Sequence, residues 1–370
     1  MVDTDDVAAF TDLYLPTVNG VTYTIALWRD RWQRCRGGTM EIVFPEMDGY
    51  EAGDGEYPLP SVGAPLYPRY RLGLPAIPDG LETPDVVHVH TPFTVGAAGV
   101  RFARKRDVPV VASYHTLLED RVHQHVPESL VPSFKRTCRA YEQGFFERVD
   151  HVTAPTSFAR RHLLEHIGAD VEATVVSNGI DTEFFRSVDP EPFRNRHDLP
   201  DGPLLGYTGR HGPEKNLEEA IDAVDGTDYV LVLAGDGPAR ESLEDRAEAV
   251  DADVRFLGFL EREELPEFYS ALNAFVFPSP VETQGLVALE ATACGTPVVA
   301  VDAGALVDSV IEGETGYRYD SGDLEEFRWA IRRTLAEGDR LADLCRRRRR
   351  MLSVDHSLEQ LGRIYDDLEG

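Results

Sequence analysis

Lysine is nearly absent. Only Lys105, Lys135 and Lys215 stand among 37 basic residues, so the cations of this 370-residue chain are almost all arginine. Cysteine is scarce too: Cys35, Cys138, Cys294 and Cys345 lie far apart with no CxxC pair, which excludes a disulfide framework and a zinc knuckle. The sequence has no run of about 18 apolar residues, so no segment reads as a membrane-spanning helix. Its opening, MVDTDDVAAF, is acidic where a signal peptide is basic, and the expected location is the cytoplasm. Positive charge is short overall, 37 basic against 65 acidic residues for a net charge of −28. Such a surface excludes general nucleic-acid binding and repels itself in dilute salt. At molar ionic strength, where screening reaches only about 3 Å, that penalty fades. The acidic, arginine-for-lysine composition is therefore expected of a protein from a salty cytoplasm, a halophile.

What is present is the composition of a folded enzyme, 42% hydrophobic and 28% charged, long enough for two domains. Short apolar runs alternate with amphipathic stretches throughout, the pattern of βα units wound into parallel sheets. Strands are expected at Val7–Phe10, Met40–Phe44, Val86–His90, Val108–Tyr114, Val152–Ala154 and Thr174–Ser177 in the first half. In the second they are expected at Leu204–Thr208, Tyr229–Ala234, Val254–Leu257, Ala274–Pro278 and Pro297–Val301. SNGIDTEFFRSVDPEPFRNRHDLPDG, at 177–202, reads as a linker. The expectation is an α/β chain of two doubly wound Rossmann-like domains facing a cleft, 1–180 and 181–354, with a C-terminal helix at 355–370 packing back on the first. The Pro-rich stretch 51–80 is too long for a simple turn and is expected to be an irregular functional loop. The run Arg346–Arg350 reads as a solvated helix face, with contact to an anionic surface as the alternative.

Ligands of open parallel sheets sit beyond the carboxyl ends of the strands, and several such ends carry chemistry. Asn19–Gly20 before a helix lets backbone N–H groups approach an anion. His115 ends the strand Val108–Tyr114, placed to contact a sugar or phosphate or else bonded within the core. His88 and His90 form an HxH without a nearby carboxylate and read as structural. The strand Leu204–Thr208 leads into GRHGPEKN, residues 209–216, where Arg210 and Lys215 beside a helix start suit a diphosphate. PVETQGLVALEATACGTPVVA places Glu282 in a loop, Gly285 and Leu286 at a helix start and Glu290 one turn in. Two acids thus flank free amides, which suits a phosphate held between two sets of hydroxyls; the alternative is a helix with acids near its start. The Gly235–Asp236–Gly237 turn lacks the third glycine of a dinucleotide fingerprint, Arg240 standing in its place, which argues against a nicotinamide dehydrogenase.

Together TDLYLPTVNGV, DVVHVHTPF, VASYHT, VSNGIDTEFF, GRHGPEKN, LAGDGPARESLE, RFLGFL and the Glu-x7-Glu stretch resemble the family-4 retaining glycosyltransferases, whose fold is GT-B. The resemblance spans nearly the whole chain. It implies metal-independent hexosyl transfer, with a nucleoside-diphosphate sugar as co-substrate and no bound cofactor or metal. By position it implies that Arg210 and Lys215 neutralise the donor diphosphate, Glu282 holds hydroxyls of the donor sugar and Glu290 the ribose. It further implies that Gly20, Gly209 and the amides of Gly285 and Leu286 line the phosphates, that the backbone around Gly258 meets the base, and that His115 approaches the sugar. PTVNG, LYPRYR and ETQGL are most similar to glycolipid-forming members such as diacylglycerol glucosyltransferases. This similarity implies a lipid acceptor at the inner membrane face. Because the donor residues lie mainly in the second half, the Pro-rich stretch with Arg69, Tyr70 and Arg71 and the helix bearing Trp28 and Trp32 are left to face the acceptor; the alternative is that the tryptophans are core and the stretch merely covers the domain. Two positions depart from those relatives: Arg69 stands where an acid is frequent, and Ala305 replaces the second glycine of a pair. The alternatives are a hexosyltransferase for a polysaccharide or other glycan, a nucleotide-sugar epimerase or glycoside phosphorylase on the same fold, and a non-catalytic sugar-nucleotide-binding protein.

Overall fold

The computed structural model describes residues 6–17, 19–64, 67–121 and 128–369. They form two compact units, Met1–Gly179 with Val354–Gly370, and Ile180–Ser353.

The first unit carries β1 (Val7–Phe10), β2 (Met40–Pro45), β3 (Glu56–Leu59), β4 (Ser61–Ala64), β5 (Tyr67–Gly73), β6 (Val86–Val89), β7 (Val110–Ser113), β8 (His151–Ala154) and β9 (Ala173–Val175). Seven of these make one parallel sheet in the order β3-β2-β1-β6-β7-β8-β9. Val7 is paired with Met40 on one side and Val86 on the other. Its central strands are short, Val- and Ala-rich and buried on both faces, as a sheet covered by helices on both sides requires.

In the second unit β10 (Leu204–Thr208), β11 (Val230–Ala234), β12 (Asp253–Gly258), β13 (Ala274–Phe277), β14 (Val298–Val301) and β15 (Gly316–Tyr319) form a parallel sheet in the order β12-β11-β10-β13-β14-β15. Each sheet reverses its winding once, at β1/β6 and at β10/β13. The carboxyl ends there are where an open α/β sheet offers a ligand crevice.

The final helix, Val354–Glu369, belongs to the first unit and lies along the helix Gly20–Arg36. Tyr365 meets Trp32 with ring centroids 5.5 Å apart. Arg34 pairs with Asp355 at 2.7 Å and Arg36 pairs with Asp366. A Cβ on Gly362 would lie 2.6 Å from Arg36 Nε, so a side chain there would displace the Arg36 guanidinium.

Residues 51–80 are not the irregular loop expected from their prolines. β3 adds to the sheet edge, where Pro58 costs no interior ladder bond, and β4 and β5 pair as an antiparallel hairpin. The arginine run is committed within its own unit: Arg346 pairs with Asp343, Arg348 with Glu314 at 3.0 Å, and Arg349 donates to the Thr182 carbonyl.

Candidate functional site

At the β10/β13 switch point of the second unit, Lys215 and Glu282, 67 residues apart in sequence, form a direct ion pair. Lys215 is delivered by a short helical turn, Pro213–Lys215, just beyond β10. Glu282 is held by the loop after β13, where Ser279 Oγ donates to the same Oε1 at 2.9 Å. Both side chains keep about a sixth of their surface open, 17% and 16%, so the pair is mostly shielded yet reachable.

Gly285 opens the helix Leu286–Ala293 at φ 75, a conformation that favours glycine. A Cβ there would sit 2.8 Å from Phe277 and 2.9 Å from Leu306. No side chain caps this helix, so its first amides are left for an anion. Arg210 is exposed and bonded to Glu214.

The glycines around these loops are explained by close backbone packing. A Cβ on Gly235 would lie 2.0 Å from the Gly209 carbonyl, and one on Gly237 would lie 2.5 Å from that of His211. The Gly-Asp-Gly turn therefore serves loop-on-loop contact, with His211 N–H donating to the Asp236 carbonyl at 2.9 Å. Gly258 has φ 70 and accepts the Gly235 amide through its carbonyl. The next residue, Phe259, is 83% exposed.

Glu290 sits deeper than Glu282. It is buried, and Tyr269 donates its hydroxyl to Oε2 at 2.6 Å. Burial pushes its carboxyl up to about 7, outweighing the lowering effect of the Tyr269 bond and of Arg262.

In the first unit the strand ends at the β1/β6 switch point gather three histidines. His88 and His90 stack at 4.3 Å between ring centroids, and His90 stacks on His115 at 5.4 Å. His90 Nδ1 and His115 Nε2 are 3.1 Å apart and share one hydrogen bond. His88 is bonded to the Tyr365 hydroxyl and, at 2.8 Å, to Ser113. The ladder packs on Trp28, whose indole donates to the Asn178 carbonyl at 2.7 Å. Burial lowers the basicity of all three, His88 to about 3 and His115 to about 4. The rings are therefore neutral at pH 7, and His115 Nδ1 is a buried ring nitrogen with no hydrogen-bond partner among the described residues.

Beside the ladder, the Asp12 carboxylate accepts from Thr91 and Thr94 hydroxyls at 2.8 Å each and from the Val95 and Gly96 amides at 2.9 and 3.3 Å. It thereby caps the helix Thr94–Arg106 from a different strand. Asn19 Oδ1 takes the Val21 and Thr22 amides at 2.9 and 3.0 Å, and among the described residues no acceptor takes the amide of Gly20.

The structure thus brings Lys215 to Glu282, with Gly285 and Leu286 in the same loop and helix start. It leaves Arg210 at the rim and Glu290 in the core against Tyr269. Of the two readings of the tryptophans, the core one holds: Trp28 and Trp32 are 1% and 0% exposed, because the face that bears them packs on the sheet and the final helix. Arg71 holds the β4/β5 hairpin, donating to Ser61 Oγ at 2.7 Å and to Asp48 at 2.9 Å. The side chains of Arg69 and Tyr70 lie outside the described residues. Asp12 and the Tyr269 partner of Glu290 were missed from the sequence, since a cap donated by another strand and a pair 21 residues apart have no local signature.

Profiles of two glycosyltransferase families cover most of the chain. The one described as Glycosyltransferase Family 4 matches residues 18–184, and the one described as Glycosyl transferases group 1 matches residues 189–351. The sequence is 30% identical over 314 residues to the alpha-monoglucosyldiacylglycerol synthase of Streptococcus pneumoniae, across 80% of this chain and 70% of that protein. It is 30% identical over 333 residues to the GDP-mannose-dependent alpha-mannosyltransferase of Mycolicibacterium smegmatis, across 86% and 85%. The solved structure of sucrose-phosphate synthase from Thermosynechococcus elongatus superposes with a TM-score of 0.77 over 98% of this chain and 99% of that one, at 22% identity, a likeness of fold. The two-sheet architecture is that of GT-B glycosyltransferases. The chain belongs to the family-4, group 1 glycosyltransferases.

Proposed function

We propose that this glycosyltransferase moves a hexose from a nucleoside-diphosphate sugar to a lipid acceptor at the cytoplasmic membrane surface, with retention and without a metal at the reacting bond. The observation that carries the reading is the Lys215–Glu282 pair beside the uncapped helix start at Gly285. Free of donor, the carboxylate and ammonium neutralise each other. With donor bound, the ammonium has an anionic diphosphate to serve, and Glu282 accepts hydrogen bonds from sugar hydroxyls.

Lys215, Arg210 and the Gly285–Leu286 amides supply the positive field in which negative charge grows on the leaving diphosphate, the task a metal performs elsewhere. Glu290 and the Gly258–Phe259 turn hold the ribose and base. In the first unit, His115 is the residue that the family resemblance assigns to the sugar, and its Nδ1 has no partner among the described residues. The leaving diphosphate accepts the acceptor's proton on the face from which it departs, so the anomeric configuration is kept and no protein nucleophile is required. A similar protein named as an alpha-monoglucosyldiacylglycerol synthase and another named as a GDP-mannose-dependent alpha-mannosyltransferase support this class of donor and product.

The lipid acceptor is supported by a surface of the first unit. On and beside the helix Val131–Phe146, Leu130, Phe134 and Tyr141 are 55%, 47% and 47% exposed. Lys135 lies a quarter-turn from Phe134 and flanks this apolar side, an arrangement suited to an anionic lipid interface. No helix among the described residues is long and apolar enough to cross a membrane. The test is incubation of the purified chain in concentrated KCl with labelled UDP- and GDP-sugars and a total lipid extract. A radiolabelled glycolipid supports the reading. Transfer to soluble glycans alone removes the lipid, and conversion of the donor without acceptor points to an epimerase.

A further inference from the structure

We propose that Glu119, His162 and His166, in the first unit, form a binding site for one divalent ion of the zinc class. His162 and His166 are four residues apart on the π-helical turn His162–Ile167, a rare winding that recurs at functional sites. Their rings lie side by side with centroids 4.6 Å apart and planes 34° from parallel. Facing them is Glu119, from the short helix Leu118–Arg121, a carboxylate only 3% exposed.

Glu119 Oε1 is 3.6 Å from His162 Nε2 and in direct contact with His166 Nε2, and one ligand atom from each residue lies within 4.8 Å of the others. A tetrahedral ion with bonds of about 2.0–2.1 Å holds its ligands roughly 3.3 Å apart, so small side-chain movements close the trio around it. His166 is partly exposed and free to make that movement.

The surrounding groups are those that such a site needs. The Tyr114 hydroxyl lies 2.9 Å from His162 Nδ1. Accepting the Nδ1 proton, it turns the Nε2 lone pair toward Glu119, as outer partners of metal-bound histidines do. Arg139 Nε donates to Glu119 Oε2 at 2.6 Å, which orients the carboxylate and leaves Oε1 for the ion. Two imidazoles and a carboxylate suit zinc, cobalt or nickel; magnesium and calcium prefer oxygen donors throughout.

Tyr114 and His115 are consecutive and face opposite sides of the sheet. Tyr114 packs on Phe146 and His162, and His115 on His90 and Trp28. The ion therefore works as a clamp between segments 118–121 and 157–167, across the sheet from the His115 imidazole, and takes no part in the transfer chemistry proposed above. The site stands on its own geometry and does not depend on the choice of donor or acceptor.

The test uses the full chain, stripped of metal and freed of chelator, in molar KCl with excess Mg2+ to occupy the acidic surface. Co2+ is titrated by its visible absorption and Zn2+ by calorimetry and thermal melting. The expected result is one ion per chain, a tetrahedral cobalt spectrum and a melting temperature several degrees higher with zinc. His166→Ala is expected to weaken uptake about 100-fold, at least the upper end for loss of a metal-site partner, and to abolish the zinc-dependent rise in melting temperature, while the metal-free protein stays folded with its melting temperature lowered by the lost Glu119 partner. Glu119→Gln checks the carboxylate independently. Absence of stoichiometric uptake over the Mg2+ background overturns the proposal, as does uptake unchanged by His166→Ala. A near-ultraviolet thiolate–cobalt band also overturns it, because it would assign the ion to one of the four free cysteines. A melting temperature that responds to pH but not to zinc reduces the cluster to an ion-pair network.

Discussion

Replacing Lys215 by Ala separates the charge carried by the site from the fold that carries it. In the wild type, Lys215 pairs with Glu282, whose Oε1 is also held by Ser279 at 2.9 Å. The substitution leaves that carboxylate with the hydroxyl alone. Because the pair is mostly shielded but still reached by water, the stability cost falls within the range of about 1–3 kcal/mol for stranding a polar group. That loss lowers the melting temperature by several degrees, at about 2–4 °C per kcal/mol for a unit of this size, and leaves the chain folded at 25 °C.

Catalysis loses far more. A preorganised group aimed at developing charge contributes about 2.7–4 kcal/mol, a fall of roughly 100- to 1000-fold in turnover. Initial rates with labelled donor, measured in molar KCl alongside circular dichroism, read both effects on one preparation. Lys215→Arg keeps the charge but not the compact ammonium, and its turnover is expected between wild type and Lys215→Ala. A Lys215→Ala protein that is folded and turns over within about threefold of wild type would refute the assignment of this lysine to the diphosphate.

Other outcomes test other parts of the account. Glu290 binds its proton more tightly in the fold, about 7 against an ordinary 4.5. Its contribution to stability is thus fully present below pH 4.5 and lost as pH rises through 7, a change of about 3 kcal/mol. Melting temperatures of Glu290→Gln and wild type should therefore diverge, in favour of the variant, as pH rises from 4.5 through about 7, and parallel curves would contradict the burial argument. With 65 acidic against 37 basic residues, the melting temperature should climb steeply from dilute buffer to molar KCl; a flat response removes the halophilic reading and leaves the enzyme assignment untouched. Removing the buried Asp12 carboxylate by Asp12→Ala strands two hydroxyls and two amides and is expected to cost about 2–4 kcal/mol in chemical unfolding. A loss under about 1 kcal/mol would show that the helix Thr94–Arg106 does not depend on this cap. Phe134→Ser with Lys135→Ser should reduce transfer to vesicle-borne lipid several-fold while leaving donor affinity unchanged, as calorimetry with the nucleoside diphosphate would show.

The parts of the fold legible in the sequence are those written in local pattern. The central strands β1, β2, β6, β10 and β13 are continuous apolar runs, and the structure places them within a residue or two of where the sequence does. What escaped has no such signal. β3 contains Pro58 and survives because it is an edge, and β15, GYRY, is a short mixed segment that becomes a strand by pairing with β14. At the candidate site, the spacing within each loop brought out Lys215 and Glu282 separately, but their pairing across 67 residues is a product of the β10/β13 switch point. The helix with Trp28 and Trp32 is a case the sequence leaves open. Its apolar face suits either a core or an acceptor-side surface, and the final helix folding over it makes that face interior.

The central claim is sugar transfer from a nucleotide donor without a metal at the reacting bond. The most direct measurement incubates the chain in molar KCl with a labelled nucleoside-diphosphate hexose and anionic lipid vesicles, with and without excess EDTA. Product is resolved by chromatography and its anomeric configuration read by NMR. The account predicts an α-linked glycolipid formed at comparable rates in both arms, with added Mn2+ giving no increase. Activity abolished by EDTA and restored by manganese, or a product of inverted configuration, would contradict it.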